Sequence, residues 1–274
     1  GGNDEITNES GTDDIDAGEG NNVITINGSS TTASAGSGND TFTINQGGNA
    51  SIYAGDGDNT VTSEVDVKTV ETGEGIDTIT LNGGTYSIKA GAGDDTITLE
   101  GSLAYSNGWD TGGKNRVWGG EGDDVITLKG GSDRLNSNGH VWDTYVDGGD
   151  GNDKIYLQGA DKTYGGVLGG DGDDIIDASG AADAGKLDGG SGNDKIKGND
   201  GVNKLEGDTG NDQLWAYGGN DTLLGGNGDD ELYGGDGNDK LIGGSGNDTF
   251  EGGAGSDIYY GSWLTTSNYF ESDS

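Results

Sequence analysis

GGSGNDKIK (189–197), GNDGVNKLE (198–206), GDTGNDQLW (207–215), AYGGNDTLL (216–224), GGNGDDELY (225–233), GGDGNDKLI (234–242), GGSGNDTFE (243–251) and GGAGSDIYY (252–260) follow one another without a gap. The period is nine residues. Positions one to six are glycine-rich and usually end in Asp. Position eight is apolar in every copy. Six turn residues followed by a three-residue strand form a unit that cannot bury its apolar side chain alone. Stacking many such units does so, which is the logic of a solenoid.

The stretch before it hides the same period. Good turns begin at Ala17, Ala35, Ala54, Thr72, Ala90, Gly119, Gly148, Gly169 and then Gly189, at spacings of 18, 19, 18, 18, 29, 29, 21 and 20. Each step is two nonapeptides, or one coil, plus a small insertion. Position eight after these turns holds Ile24, Phe42, Val61, Ile79, Ile97, Ile126, Ile155, Ile176 and Ile196. A weaker nonapeptide between each pair keeps Ala33, Ile52, Val70, Ile88, Val117, Val146, Val167 and Leu187 at the same place. About thirteen coils at a strand spacing of ~4.8 Å would give a rod roughly 60 Å long with a narrow core. Small cores of this kind need a metal or covalent staples.

The two sides of the coil differ. On one side position six reads Asp4, Asn22, Asp40, Asn59, Asp77, Asp95, Asp124, Asp153, Asp174, Asp194, Asp212, Asp230 and Asp248. On the other it reads Asp13, Thr31, Ala50, Lys68, Tyr86, Asn115, Thr144, Gly165, Gly185, Asn203, Asp221, Asp239 and Asp257, so only its last three members form a run of Asp.

Composition agrees with a conditional fold. The 274 residues are 28% hydrophobic, with 61 Gly, no Pro, Cys or Met, and a formal charge of −37. Such a balance ordinarily means disorder. A strict period with 50 acids against 13 bases instead fits folding that waits for a cation, because bound divalent ions remove self-repulsion. The lack of Cys excludes disulfides and thiol chemistry. No apolar run is long enough for a membrane span, and the acidic surface disfavours nucleic acid and anionic lipid. Gly1-Gly2-Asn3-Asp4 reads as positions three to six of a repeat, as expected of a segment of a longer protein. With His140 as the sole His, neither an HExxH zinc site nor a Cys-based site exists. GxSxG is absent too. The chain therefore does not read as an enzyme.

The repeats resemble the RTX (repeats-in-toxin) nonapeptide GGxGxDxUx, strongly over 189–260 and moderately over 1–188. The resemblance implies a right-handed parallel β-roll, all-β, with Ca²⁺ held between stacked turns. Ca²⁺ takes about six to eight oxygens at ~2.3–2.6 Å, more than one turn can offer. In the family, the carbonyls of positions two and four and Asp six come from one turn. Positions one and three and Asp six come from the next. Carried over, one site uses Gly226, Gly228 and Asp230 with Gly243, Ser245 and Asp248. A second uses Gly235, Gly237 and Asp239 with Gly252, Ala254 and Asp257. The resemblance also marks Gly207, Thr209 and Asp212, the ladder acids Asp40, Asp77, Asp95, Asp124, Asp153, Asp174 and Asp194, and Asp221 on the second side. Around ten to fourteen Ca²⁺ per chain are implied. Asn22 and Asn59 each remove one charge from the ladder.

The expected organisation is a degenerate roll over 1–188 with two inserted loops (99–109 and 128–138), a consensus roll over 189–260, and a cap or tail over 261–274 carrying Trp263, Leu264, Tyr269 and Phe270. The resemblance further implies an extracellular module, secreted or on the cell surface, that folds after passing a type I secretion machinery. It would extend a larger adhesin, surface-layer protein, toxin or enzyme. Tyr105, Trp109, Trp118, His140, Trp142 and Tyr145 around the loops could meet a carbohydrate or protein partner, or simply cover a sheet edge. Thr-x-Thr pairs at Thr41/Thr43, Thr60/Thr62, Thr78/Thr80 and Thr96/Thr98 resemble the ice-binding faces of some antifreeze solenoids. Thr also favours strands in its own right.

Overall fold

The computed structural model describes residues 1–29, 31–46, 48–100, 116–129, 145–159, 166–182, 184–261 and the backbone of 269–270. The chain divides into two compact units, Gly1–Thr144 and Tyr145–Ser274. This division is one of compactness, whereas the boundary at 188/189 is one of repeat regularity. Among the described residues every regular element is a β-strand. No helix there is long and apolar enough to cross a membrane.

In each unit the chain alternates between two parallel sheets. In the first unit, strands Glu5–Asn8, Val23–Ile26, Thr41–Ile44, Thr60–Ser63, Thr78–Leu81, Thr96–Leu99 and Val125–Leu128 stack in that order. Asp14–Asp16, Thr32–Ser34, Ala50–Gly55, Val67–Thr72, Thr85–Ala92 and Arg116–Glu121 stack on the opposite side. The second unit repeats the plan. Leu223 pairs with Leu241 on one side and Leu232 with Phe250 on the other. The structure is thus a parallel β-roll.

Position eight drives this arrangement. Within a three-residue strand only the middle side chain points inward, and the apolar residues of both series line the space between the sheets. Ile24, Phe42, Val61, Ile79, Ile97, Ile126, Ile155, Ile176, Ile196, Ala33, Ile52, Val70, Ile88, Val117, Val146 and Leu187 are fully buried. Burying an Ile or Leu contributes about 1.5–3 kcal/mol, and a strand supplies one such side chain or two, as with Ile24 and Ile26 or Ile97 and Leu99, so the core supports each coil only modestly.

The turns require glycine at defined places. Gly228, at position four, has φ 138°, which L-residues rarely adopt. A side chain there would also overlap the carbonyl oxygen of Gly210 one coil earlier. Coils can approach this closely only if position four has no Cβ.

Two members of the second-side series sit one residue from where their spacing puts them. Ala50 pairs with Val67, and Val67 with Thr85, with a register shift between Ala50 and Ser51. Val67 and Thr85 are therefore the buried residues, and Lys68 is exposed. Burying a lysine is far costlier than a bulge. Upstream, the second side is filled by buried Thr31, Ala50, Val67 and Thr85 where the first side has Asp or Asn.

At the C-terminal end the backbone of Tyr269–Phe270 pairs with Thr249 and Phe250, adding a strand beyond the last repeat. Trp263 and Leu264 lie outside the described residues, as do 101–115 and 130–144. Those last two segments hold most of both loops, with Tyr105, Trp109, Asn115, His140, Trp142 and Thr144.

Candidate metal centre

Each turn ends on position six, immediately before its strand, so every position-six side chain starts at the same height as its neighbours in the stack. Asn22, Asp40, Asn59, Asp77, Asp95, Asp124, Asp153, Asp174, Asp194, Asp212, Asp230 and Asp248 are all buried. Asp221 and Asp239 are buried on the second side, and Asp257 is partly so. A row of buried carboxylates without a counter-charge is unfavourable and calls for compensation.

Half of that compensation is visible. Oδ1 of each acid accepts a hydrogen bond from the backbone N–H of position six in the coil before. Asp77 donates to Asp95 at 2.7 Å, Asp95 to Asp124 at 2.8 Å, Asp174 to Asp194 at 2.8 Å and Asp212 to Asp230 at 2.9 Å. The second side repeats this from Asn203 to Asp221, Asp221 to Asp239 and Asp239 to Asp257, at 2.6, 2.8 and 2.8 Å.

The other half is not met by the protein. Oδ2 of Asp40, Asp77, Asp95, Asp174, Asp194, Asp212, Asp221, Asp230, Asp239 and Asp257 is buried and has no hydrogen-bond partner. A buried acceptor left in this way costs about 1–3 kcal/mol, and more when charged. Beside it lies a space that no side chain fills. A Cβ on Gly225 would overlap Oδ2 of Asp230 and lie 2.6 Å from the carbonyl oxygen of Gly243 in the next coil. Gly207 stands in the same way to Asp212 and the Gly225 carbonyl, and Gly234 to Asp239 and the Gly252 carbonyl. Each space thus brings together a carboxylate oxygen from one coil and a carbonyl oxygen from the next. Both are hard oxygen donors, the kind that suits Ca²⁺. These buried oxygens fit a cation in a way that a set of turn caps would not.

The electrostatics agree. Burial, reinforced by neighbouring carboxylates, pushes Asp95, Asp212 and Asp230 up to about 7, Asp174 to about 8 and Asp194 to about 6. Burial raises Asp40, Asp77, Asp239 and Asp248 as well. On the second side it lifts Asp221 to about 6. Without a cation these groups hold protons far above the ordinary carboxylate range.

Of the residues expected to act together, the structure stacks Asp230 on Asp248 (N to Oδ1, 3.3 Å) and Asp239 on Asp257. Gly226 pairs with Gly244, and Gly235 with Gly253, in neighbouring strands. Thr209 pairs with Asn227, and Ser245 follows it one coil later. Gly237 and Gly252 lie in the same two turns as Asp239 and Asp257, with Ala254 exposed.

A second ladder escaped the sequence reading. At position five, backbone N–H groups donate to the Asn or Asp side chain one coil earlier: Asn39 to Asn21, Asp173 to Asn152, Asn211 to Asn193, Asp229 to Asn211 and Asn247 to Asp229, at 2.7–2.9 Å. Its signal was the recurrence of Asn or Asp at position five. A further group, Asp188, Glu206 and Asp208, gathers on an outer face, but Lys186 bridges Asp188 and Glu206, and Lys204 also reaches Glu206. Lysines thus already offset its charge. Trp118, in the aromatic set, lies against Lys89 and Arg116, whose cationic groups sit 5.7 and 5.4 Å from its ring centre.

The model of the RTX calcium-binding nonapeptide repeat (4 copies) matches residues 1–24, 44–65, 69–97, 109–139, 179–214, 197–232 and 233–263, well over half of the chain. No curated protein matches it.

Proposed function

Since the chain belongs to the RTX calcium-binding nonapeptide repeat family, we propose that it is a non-catalytic module whose fold is completed by Ca²⁺. The observation that carries this is the row of buried, unpartnered Oδ2 atoms facing carbonyls of the next coil. The ions would be held on the first side by Asp40, Asp77, Asp95, Asp124, Asp153, Asp174, Asp194, Asp212, Asp230 and Asp248. On the second side Asp221, Asp239 and Asp257 would hold them. The turn carbonyls named above supply the remaining oxygens. A bound divalent ion supplies charge neutralisation and cross-links two coils. Metal binding and folding are then one process. The setting that suits such a module is outside the cell, where calcium is plentiful, as a secreted or surface-displayed extender that stays unfolded until export is complete. Circular dichroism tests it. The chain should be coil-like in chelator, β-rich with millimolar Ca²⁺, and much less so with Mg²⁺, which demands tight octahedral geometry. A β-rich spectrum in chelator at neutral pH overturns the reading.

One observation favours a second reading, a ligand-binding face on the same roll. Thr25, Thr43, Thr62, Thr80, Thr98 and Thr127 align in register across six strands, and Thr41, Thr60, Thr78 and Thr96 form a parallel row beside them. These side chains alternate with the buried ones and face outward. Such a flat hydroxyl array suits ordered water or a sugar. Thermal hysteresis and glycan binding of the calcium-loaded chain, compared with Thr80→Tyr, test it. No hysteresis and no glycan bound leaves the spacer reading alone.

A further inference from the structure

Among the described residues three turns end in Asn rather than Asp, and in each the amide nitrogen meets the same two carbonyls. In the turn 17–22, Nδ2 of Asn22 donates to the carbonyl oxygens of Gly18 and Gly20, at 3.0 and 2.8 Å. In the turn 54–59, Nδ2 of Asn59 donates to Gly55 and Gly57, at 2.8 and 2.7 Å. In the turn 198–203, on the other side of the coil, Nδ2 of Asn203 donates to Asn199 at 2.8 Å and to Gly201. Each time the acceptors are the carbonyls of positions two and four of the same turn. The opposite amide orientation would set an oxygen against two carbonyl oxygens, so the network fixes the assignment.

In the two first-side turns the other atom of the amide behaves as in the Asp turns, while Oδ1 of Asn203 accepts from the N–H of Asn199 in its own turn. Oδ1 of Asn22 accepts from the N–H of Asp4 at 3.0 Å, and Oδ1 of Asn59 from the N–H of Asp40 at 3.0 Å. Those are the bonds that Asp Oδ1 makes elsewhere in the ladder. The Nδ2 of Asn and the Oδ2 of Asp are therefore equivalent atoms. An Asp turn puts an oxygen where an Asn turn puts an NH₂ against two carbonyls.

We infer that Asn at position six is a built-in replacement for the cation, and that the turns ending at Asn22, Asn59 and Asn203 close without calcium. The amide carries two N–H donors and meets two carbonyls of its own turn (Nδ2 of Asn203 also lies 3.4 Å from Oδ1 of Asp221), so it neutralises locally the oxygens that would otherwise await a metal. It also removes the carboxylate that would attract one. The three turns are fixed points in an otherwise cation-dependent stack: two on the first side of the first unit, and one at the start of the short Asp run on the second side. The inference rests on the calcium reading above and deepens it by assigning which turns take no ion.

The test is a count of bound ions. Native mass spectrometry at saturating calcium would compare the wild-type chain with Asn22→Asp, Asn59→Asp and Asn203→Asp, singly and combined. One additional Ca²⁺ per substituted turn is expected. An unchanged count, with calcium bound to the wild type, overturns the inference while leaving the calcium reading intact. A wild-type chain that binds no calcium overturns both. Asp212→Asn and Asp212→Ala supply a check that does not depend on added charge. Both should bind fewer ions, but Asp212→Asn should fold at a calcium concentration no higher than wild type, whereas Asp212→Ala should need several-fold more. Equal calcium demand in the two variants also overturns the inference.

Discussion

The two compact units close their turns differently. In Tyr145–Ser274 the first-side turns start with Gly148, Gly169, Gly189, Gly207, Gly225 and Gly243, and each ends in Asp. A Cβ at any of these glycines would overlap the carboxylate of its own turn. In Gly1–Thr144 position one holds Ala17, Ala35, Ala54, Thr72, Ala90 and, last, Gly119, and position six alternates between Asn and Asp as far as Asp77. Ala54 and Ala90 are fully buried. The second unit has glycine beside each of these carboxylates, whereas the first carries a methyl-bearing residue at five of its six position-one places and an amide at two of its position-six places. One backbone plan thus accepts two ways of closing a turn, and under the proposed calcium reading the choice would set how strongly a coil depends on its cation.

The largest effect that could break this contrast is cation removal. Trp215 stacks on Tyr233 in the second unit, with ring centres 5.7 Å apart, while Trp118 reports on the first. In single-tryptophan versions, chelation should abolish the Trp215 signal. Calcium should restore it more steeply than the Trp118 signal, because more ions are taken up per coil. Equal steepness removes the distinction.

Gly225→Ala comes next. The added methyl would overlap Oδ2 of Asp230 and crowd the Gly243 carbonyl, so overpacking of about 1–3 kcal/mol is expected. A calcium titration followed by circular dichroism should show a clear rise in midpoint. The converse change, Ala35→Gly, should leave stability within about 1 kcal/mol, the ordinary backbone effect of glycine.

Protons should partly stand in for calcium. Burial holds Asp95 and Asp212 near 7 and Asp174 near 8, against 3.8 for the ordinary carboxyl. These values are raised in the folded chain, so folding takes up protons. The contribution is fully present below the unfolded value and is lost as pH rises through about 6–8. In chelator, β content should therefore grow as pH falls from about 8 to about 5, and calcium should abolish the dependence. A flat profile would place the raised carboxyls outside the folding equilibrium. The smallest effect expected is at Asp40→Asn, which converts an Asp turn of the first unit to the amide-closed form and should lower calcium demand slightly.

Much of the roll was legible in the sequence because the apolar position eight recurs in nearly every strand. Every fully buried position-eight residue, from Ile24 to Ile196, stands where the period puts it. The same count erred at Lys68 and Tyr86, because a bulge moves Val67 and Thr85 inward, and periodicity does not show a one-residue slip that burial enforces. At the site, the row of position-six acids was legible. The amide closure was not, because Asn22 and Asn59 look in sequence like lost charge alone. Their carbonyl partners lie two and four residues away, inside the same turn, and appear only once the turn is folded.

The ladders at positions five and six point in opposite directions. At position six the N–H of Asp212 reaches forward to Asp230, and at position five the N–H of Asp229 reaches back to Asn211. Adjacent turns are therefore pinned by two opposed bonds in addition to the sheet. Under tension such a stack resists smooth stretching and should yield one coil at a time. Each rupture would release a segment of 18 residues, about 60 Å of extended chain. Reclosing would be assisted by the ions still held on the coils behind it. A chain built this way would act as a reversible shock absorber whose stiffness the surrounding calcium sets.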